Sequence, residues 1–237
     1  MSYKGMTFYF MRHGETYLNR YERMQGWSNA PLTEEGREEV HHSGRGLADV
    51  KFDAVYTSDL TRTLDTANIV LSENKYAEDL VLEMKPEFRE VFFGGFEGLP
   101  FAEVDETVAK SQGYDSVVKF YEETTLPERM NAYREADEHA HAEDFMTFWL
   151  RIEQGLLDIV SRHKDTDDTV LVVVHGLVIR YLMMTLIADI DKNPDFLSNA
   201  SITRVQYRAG KFIVDSYNDT SHFEVPLTEP SVDDDEE

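Results

Sequence analysis

The chain has no cysteine in 237 residues. That absence excludes disulfides, thiolate metal sites and a cysteine nucleophile together, and it is compatible with a reducing compartment. Positive charge is scarce: 23 Lys and Arg stand against 46 Asp and Glu, a formal net charge of −23. A field of that sign repels polyanions, so nucleic acid is not an expected partner. Long apolar runs are missing as well. The opening "MSYKGMTFYFMRHGET" has one Lys and a short apolar stretch broken by Arg12, with no longer hydrophobic region and no small-residue cleavage site. No run reaches the ~20 residues a membrane span needs. The expected location is therefore the cytoplasm, with no membrane partner. Neither a G-x-G-x-x-G turn nor a P-loop is present, which sets aside a nucleotide-binding α/β domain.

What is present suffices for one sizeable core, with 41% hydrophobic residues spread along the length. Thr7 to Met11 is a short apolar run that stops at Arg12, as a buried parallel strand feeding a loop would. Thr33 reads as the N-cap of a helix running to about Ala48. Asp53 to Ser58 and Leu80 to Met84 read as further strands, with a helical pattern from Asp59 between them. Phe148, Ile152, Leu156, Ile159 and Val160 mark one face of an amphipathic helix. Val170 to Val174 is an unbroken apolar strand followed by His175-Gly176, and two alternating runs around Ala209-Gly210 form a hairpin. The expected fold is a three-layer α/β/α sandwich around a mainly parallel sheet. The stretch from about 101 to 145, acidic and dotted with aromatics, is expected to be a mostly helical insertion over the active site. One domain over 1–228 is expected, followed by a disordered acidic tail over 229–237.

Ligands of such sheets bind beyond the carboxyl ends of the strands, so polar residues directly after apolar strands are the candidates. Arg12, His13 and Gly14 follow the first strand, His175 and Gly176 the late one, and Arg62 lies one turn into the helix after the second. Two histidines and two arginines at one edge suit a phosphoryl group. Arginine offers planar donor forks, and a neutral imidazole can attack phosphorus. Position alone leaves the ordinary alternatives open: a loop or core histidine, and surface ion pairs for the arginines. His139 and His141 in "EHAHAED" are spaced poorly for one helix face, so no metal site is expected there.

Taken with their order, the motifs resemble the histidine phosphatase superfamily, also called phosphoglycerate mutase-like. "FMRHGETYLN" looks like its Arg-His-Gly signature, continued by "MQGWSNAPLTEEG"; "YTSDLTRTLDTA", "FREVFFGGFEG" and "VVVHGLVIR" follow in the same sequence. The resemblance implies a covalent mechanism with no metal and no cofactor. His13 would be the nucleophile, phosphorylated on a ring nitrogen. Arg12, Arg62 and His175 would hold the phosphoryl oxygens, and Glu90 would protonate the leaving oxygen and then take a proton from water. Thr16, Asn19, Gln25, Gly26 and Gly176 match substrate-contacting positions, with turn and cap chemistry as the alternative for the loop residues. Gly14 would keep side-chain bulk away from the incoming group, and Glu97 is expected to be structural.

The resemblance covers both hydrolases and cofactor-dependent mutases, and the mutase pattern is not met. Where it has Arg, Tyr and then Gly after the acid, this chain has Val91, Phe92, Phe93 and Gly94. Phe101 stands at the position of a mutase Lys, Leu177 follows the second His-Gly in place of Asn, and the insertion offers only Arg129 and Arg134 for the expected basic pair. The expected activity is hydrolysis of a small phosphorylated metabolite. The alternatives are a phosphoglycerate mutase and a non-catalytic regulator that binds phosphorylated ligands. Tyr114, Phe120, Tyr121, Tyr133, Phe145 and Phe148 either line a leaving-group pocket or pack the insertion. The oligomeric state is left open, a homodimer being one option.

Overall fold

The computed structural model describes residues 4–186 and 196–223; the acidic tail expected over 229–237 lies outside them. One sheet of six strands organises the molecule. The strands are β1 (Gly5–Arg12), β2 (Ala54–Thr57), β3 (Leu82–Met84), β4 (Asp168–Val174), β5 (Ile202–Arg208) and β6 (Lys211–Asp219), ordered β3-β2-β4-β1-β5-β6. The first four in that order are mutually parallel, and β5 and β6 add an antiparallel edge. The alternation along the strands assigns two cores. Phe8, Phe10, Val170, Val172 and Val174 point to one face, and Met11, Leu171 and Val173 to the other.

Helices cover both faces. α2 (Glu34–Gly46) and α3 (Thr61–Glu73) bury Val40, Ala67 and Val70 against the second core. The expected Thr33 cap is in place, its hydroxyl accepting from the Gly36 N–H at 2.9 Å. On the other face lies α7 (Phe145–His163), with Phe148, Ile152, Leu156, Ile159 and Val160 all buried, together with α8 (Gly176–Leu186). Along the chain between β3 and α7 come α4 (Phe101–Ser111), α5 (Val117–Glu123) and α6 (Leu126–Ala136), whose buried side chains join the same core.

Several element bounds differ by one or two residues from the sequence reading. The third strand begins at Leu82 rather than Leu80, because it pairs on one side only and Val81 is left 82% exposed. Gly14 also answers to the helix behind it: a Cβ there would come within 2.5 Å of Val40 Cγ2 and 3.0 Å of the Gly36 carbonyl, so α2 by itself demands a glycine. No helix among the described residues is long and apolar enough to cross a membrane.

Candidate active site

Parallel register builds the site. Arg12 pairs with Val174, so the residues that follow, His13 and His175, leave neighbouring strands at the same level. Their rings lie 5.3 Å apart at 63°. On the other side of β4, Thr57 pairs with Val173, which brings Ser58 to His175, Oγ to Nε2 at 2.8 Å. The helix that starts three residues later carries Arg62 to His13.

The His13 tautomer follows from its partners. Nδ1 lies 2.8 Å from the Gly14 carbonyl, which only accepts, so Nδ1 carries the proton; Nε2 accepts from Arg62 Nε at 3.1 Å. The lone pair of a neutral imidazole is therefore on Nε2. Burial, then the cations of Arg62 and Arg12, push the His13 pKa well below the ordinary imidazole range. The same forces act on His175. His175 shares a hydrogen bond with Ser58 through its Nε2, which leaves its Nδ1 for a ligand.

Arg62 is fully buried, with its pKa pushed down to about 10 by desolvation. Besides His13 it donates to the carbonyls of Gly26 at 2.7 Å and Ser28 at 3.1 Å. Arg12 donates to the Leu197 carbonyl. Among the described residues, the buried nitrogens Arg12 Nε, His175 Nδ1, Gln25 Nε2 and Arg180 Nε at and beside this site have no partner. Donors from Arg and His left unpaired beside a neutral imidazole match the needs of a bound oxyanion. Glu90 completes the group. Its Oε1 accepts from the Val91 N–H at 3.0 Å and its Oε2 from the Leu177 N–H at 3.1 Å. Burial raises its pKa in spite of those bonds and the cations of Arg62 and Arg12, which favours the protonated acid.

A cavity of about 250 Å³ opens onto Arg12, His13, Glu90 and Gly176 and runs outward beneath α4, α5 and α6. Asn19 and Gln25 line it; Thr16 and Gly26 stand behind its wall. Thr16 caps the short helix α1 (Tyr17–Arg20) and donates to Gln25 Oε1 at 2.7 Å, while Gly26 contributes the carbonyl that holds Arg62. Of the insertion aromatics, Tyr121 and Tyr133 line the cavity, their hydroxyls both donating to Asp105; Phe120 and Phe148 are fully buried in the core. Glu97 gathers the backbone N–H groups of Gly26, Trp27, Ser28 and Phe93, the structural part expected of it. Among the described residues no group of three or more His, Asp or Glu is arranged to hold a metal.

The family model for the histidine phosphatase superfamily (branch 1) matches residues 8–220, which spans every residue of this site. The chain belongs to that superfamily. Its relatives stand on both sides of the line between hydrolysis and transfer. The fructose-2,6-bisphosphatase TIGAR of Bos taurus is 38% identical over 104 residues, 44% of this chain but only 38% of that protein's own length. A probable phosphoglycerate mutase, GpmB, of Yersinia pestis is 28% identical over 92% of this chain and 95% of its own. The crystal structure of a phosphoglycerate mutase from Bacillus anthracis superposes with a TM-score of 0.88 at 36% identity, covering 93% of this chain and 96% of that one.

Several residues that shape this superfamily site here escaped the sequence reading. Ser58 satisfies the rule used for Arg12 and His175, a polar residue directly after an apolar strand, and was reachable by it. Arg151 on α7 and Glu143 in the loop before it, which brace the Glu90 loop, and Arg180 on α8, which lines the cavity, are placed by packing; Arg129, weighed in the sequence only as half of a basic pair, lines the cavity too. Arg151 does sit beside the apolar stripe of α7, a weak signal.

Proposed function

We propose that the chain is a metal-independent phosphomonoesterase working through a phosphohistidine. His13 Nε2 attacks phosphorus as Arg62 Nε exchanges its bond to the ring for one to a phosphoryl oxygen. The Nε2–P bond forms, the ester P–O bond breaks, and the leaving oxygen keeps the electron pair and takes the proton of Glu90. Water then attacks phosphorus; its proton passes to Glu90, the P–Nε2 bond breaks, and inorganic phosphate leaves. Arg12, Arg62 and His175 offset the charge on the moving group.

The observation that carries hydrolysis over transfer is the cavity wall. Val91, Phe92, Phe93, Phe101 and Leu177, the positions where the mutase pattern has basic or polar groups, all line it. A wall of that character holds the second charge of a bisphosphate weakly, which leaves the phosphohistidine to water. The second reading, a substrate with a second anionic group and phosphoryl transfer to it, draws on Arg129 and Arg180. Both are buried and both line the same cavity. The test supplies 3-phosphoglycerate with catalytic 2,3-bisphosphoglycerate, and separately an aryl phosphate. Phosphate release from the aryl ester that His13→Ala abolishes, with no 2-phosphoglycerate formed, is the expected result. Efficient formation of 2-phosphoglycerate would assign the chain to the mutases, and equal aryl phosphatase rates for wild type and variant would overturn catalysis altogether.

A further inference from the structure

The acid Glu90 belongs to no helix or strand. It sits in the loop that follows a 3₁₀ turn at Pro86–Phe88, and a side chain on a loop is held only as well as its backbone. That backbone is gripped by a single guanidinium. Arg151, on α7, donates through Nη1 to the carbonyls of Glu87 at 2.8 Å and Arg89 at 2.5 Å, and through Nη2 to the carbonyl of Glu90 itself at 2.8 Å. The fork is fixed from behind by Glu143, whose two oxygens lie 2.7 Å from Nε and 2.6 Å from Nη2. Glu143 also bonds the loop two residues past the acid, accepting from the Phe92 N–H at 2.9 Å and donating its own N–H to the Phe92 carbonyl at 2.8 Å. Trp27 Nε1 supplies a second donor to the Glu90 carbonyl at 2.8 Å.

We infer that Arg151, braced by Glu143, is a positioning residue for the general acid: it fixes the Glu87 to Phe92 backbone so that the Glu90 carboxyl meets the leaving oxygen. The inference rests on the phosphatase reading above, in which Glu90 is that acid. Arg151 does not line the cavity and takes no part in the chemistry. Its effect passes through main-chain geometry, to which proton transfer is sensitive at the level of fractions of an ångström. Lysine cannot replace it, because one ammonium does not span three carbonyls and a carboxylate in a plane.

A misplaced acid has a signature that general loosening lacks. An ester whose alcohol leaves readily as an anion hardly needs a proton; one with a poor leaving group depends on it. The experiment measures kcat/KM, which reports the step up to alcohol release, for 2,4-dinitrophenyl phosphate and for phenyl phosphate. Arg151→Met is expected to lose ~10- to 100-fold on phenyl phosphate and less than about threefold on the dinitrophenyl ester, part of the full effect of a general acid. Arg151→Lys should keep most of that leaving-group dependence. Should Arg151→Met fail to fold, Glu143→Gln carries the test, with the same asymmetry at a loss of ~3- to 10-fold. Equal loss on both esters, or no loss on either, overturns the inference. Glu90→Gln on the same pair separates the two levels of argument. If it shows the asymmetry and the Arg151 and Glu143 variants do not, only the positioning role fails; if it does not, the acid role of Glu90 fails and the inference with it.

Discussion

Replacing Glu97 by Gln should cost both stability and activity, because this carboxylate joins the two. Its Oε1 accepts from the N–H of Trp27 at 2.9 Å and of Phe93 at 3.1 Å; its Oε2 accepts from Gly26 at 3.2 Å and Ser28 at 3.0 Å. Glutamine keeps one of those oxygens. Whichever way its amide turns, two backbone N–H groups face another donor. Each stranded donor costs ~1–3 kcal/mol, with the lower part of that range fitting a half-buried site, so the total is about 2–4 kcal/mol. The same segment holds Arg62 through the Gly26 and Ser28 carbonyls, so the guanidinium loses its alignment on His13. The assay is equilibrium urea unfolding alongside aryl phosphatase kinetics. The midpoint should fall at unchanged slope, and kcat/KM should drop by ~10-fold or more, the usual effect of a small misplacement. A stability loss below about 1 kcal/mol with unaltered kinetics would refute the chain of bonds drawn from Glu97 to the nucleophile.

Acid should destabilise the fold. Burial lowers the folded pKa of His13 and His175, so below the ordinary imidazole value the unfolded chain takes up protons that the native state refuses. Glu90, raised on folding, works in the opposite sense. Stability present at pH 7 should thus fall as pH drops through the ordinary imidazole range, by on the order of 1 kcal/mol per pH unit for each proton the unfolded chain takes up alone. Urea midpoints at pH 7 and 5.5 measure it, and a flat profile contradicts the buried neutral histidines. Gly26→Ala should be severe for a different reason: its Cβ would stand 2.0 Å from the Val91 carbonyl and 2.2 Å from Glu97 Oε1. Backbone cannot swing aside, so a loss of ~2 kcal/mol or more by unfolding and a matching fall in activity are expected.

Wherever a local rule had a single outcome, the sequence was legible. Apolar strands that stop at Arg12 and at Val174, the Thr33 cap and the stripe on α7 are short-range patterns, and each predicts its own element. The edge strand β3 and the short helix α1 read poorly, since exposure and capping shape them more than periodicity does. Thr16 shows the same limit within the site: its hydroxyl serves a cap and Gln25, two uses that a motif match does not distinguish from contact with substrate.

Residue order alone therefore determined a mainly parallel sheet, its carboxyl edge and the candidates Arg12, His13, Arg62 and His175, because strand ends are local, while Glu90 came through the resemblance carried by the ordered motifs. Tertiary structure decided what those candidates touch. The register of Arg12 on Val174 sets the two imidazoles side by side, burial fixes the direction of their pKa shifts, and packing of α7 against the Glu90 loop puts Arg151 under the acid. The insertion was legible as helical and aromatic. Only its packing showed that Tyr121 and Tyr133 face the cavity while Phe120 faces the core, since the facing of a helix depends on what covers it.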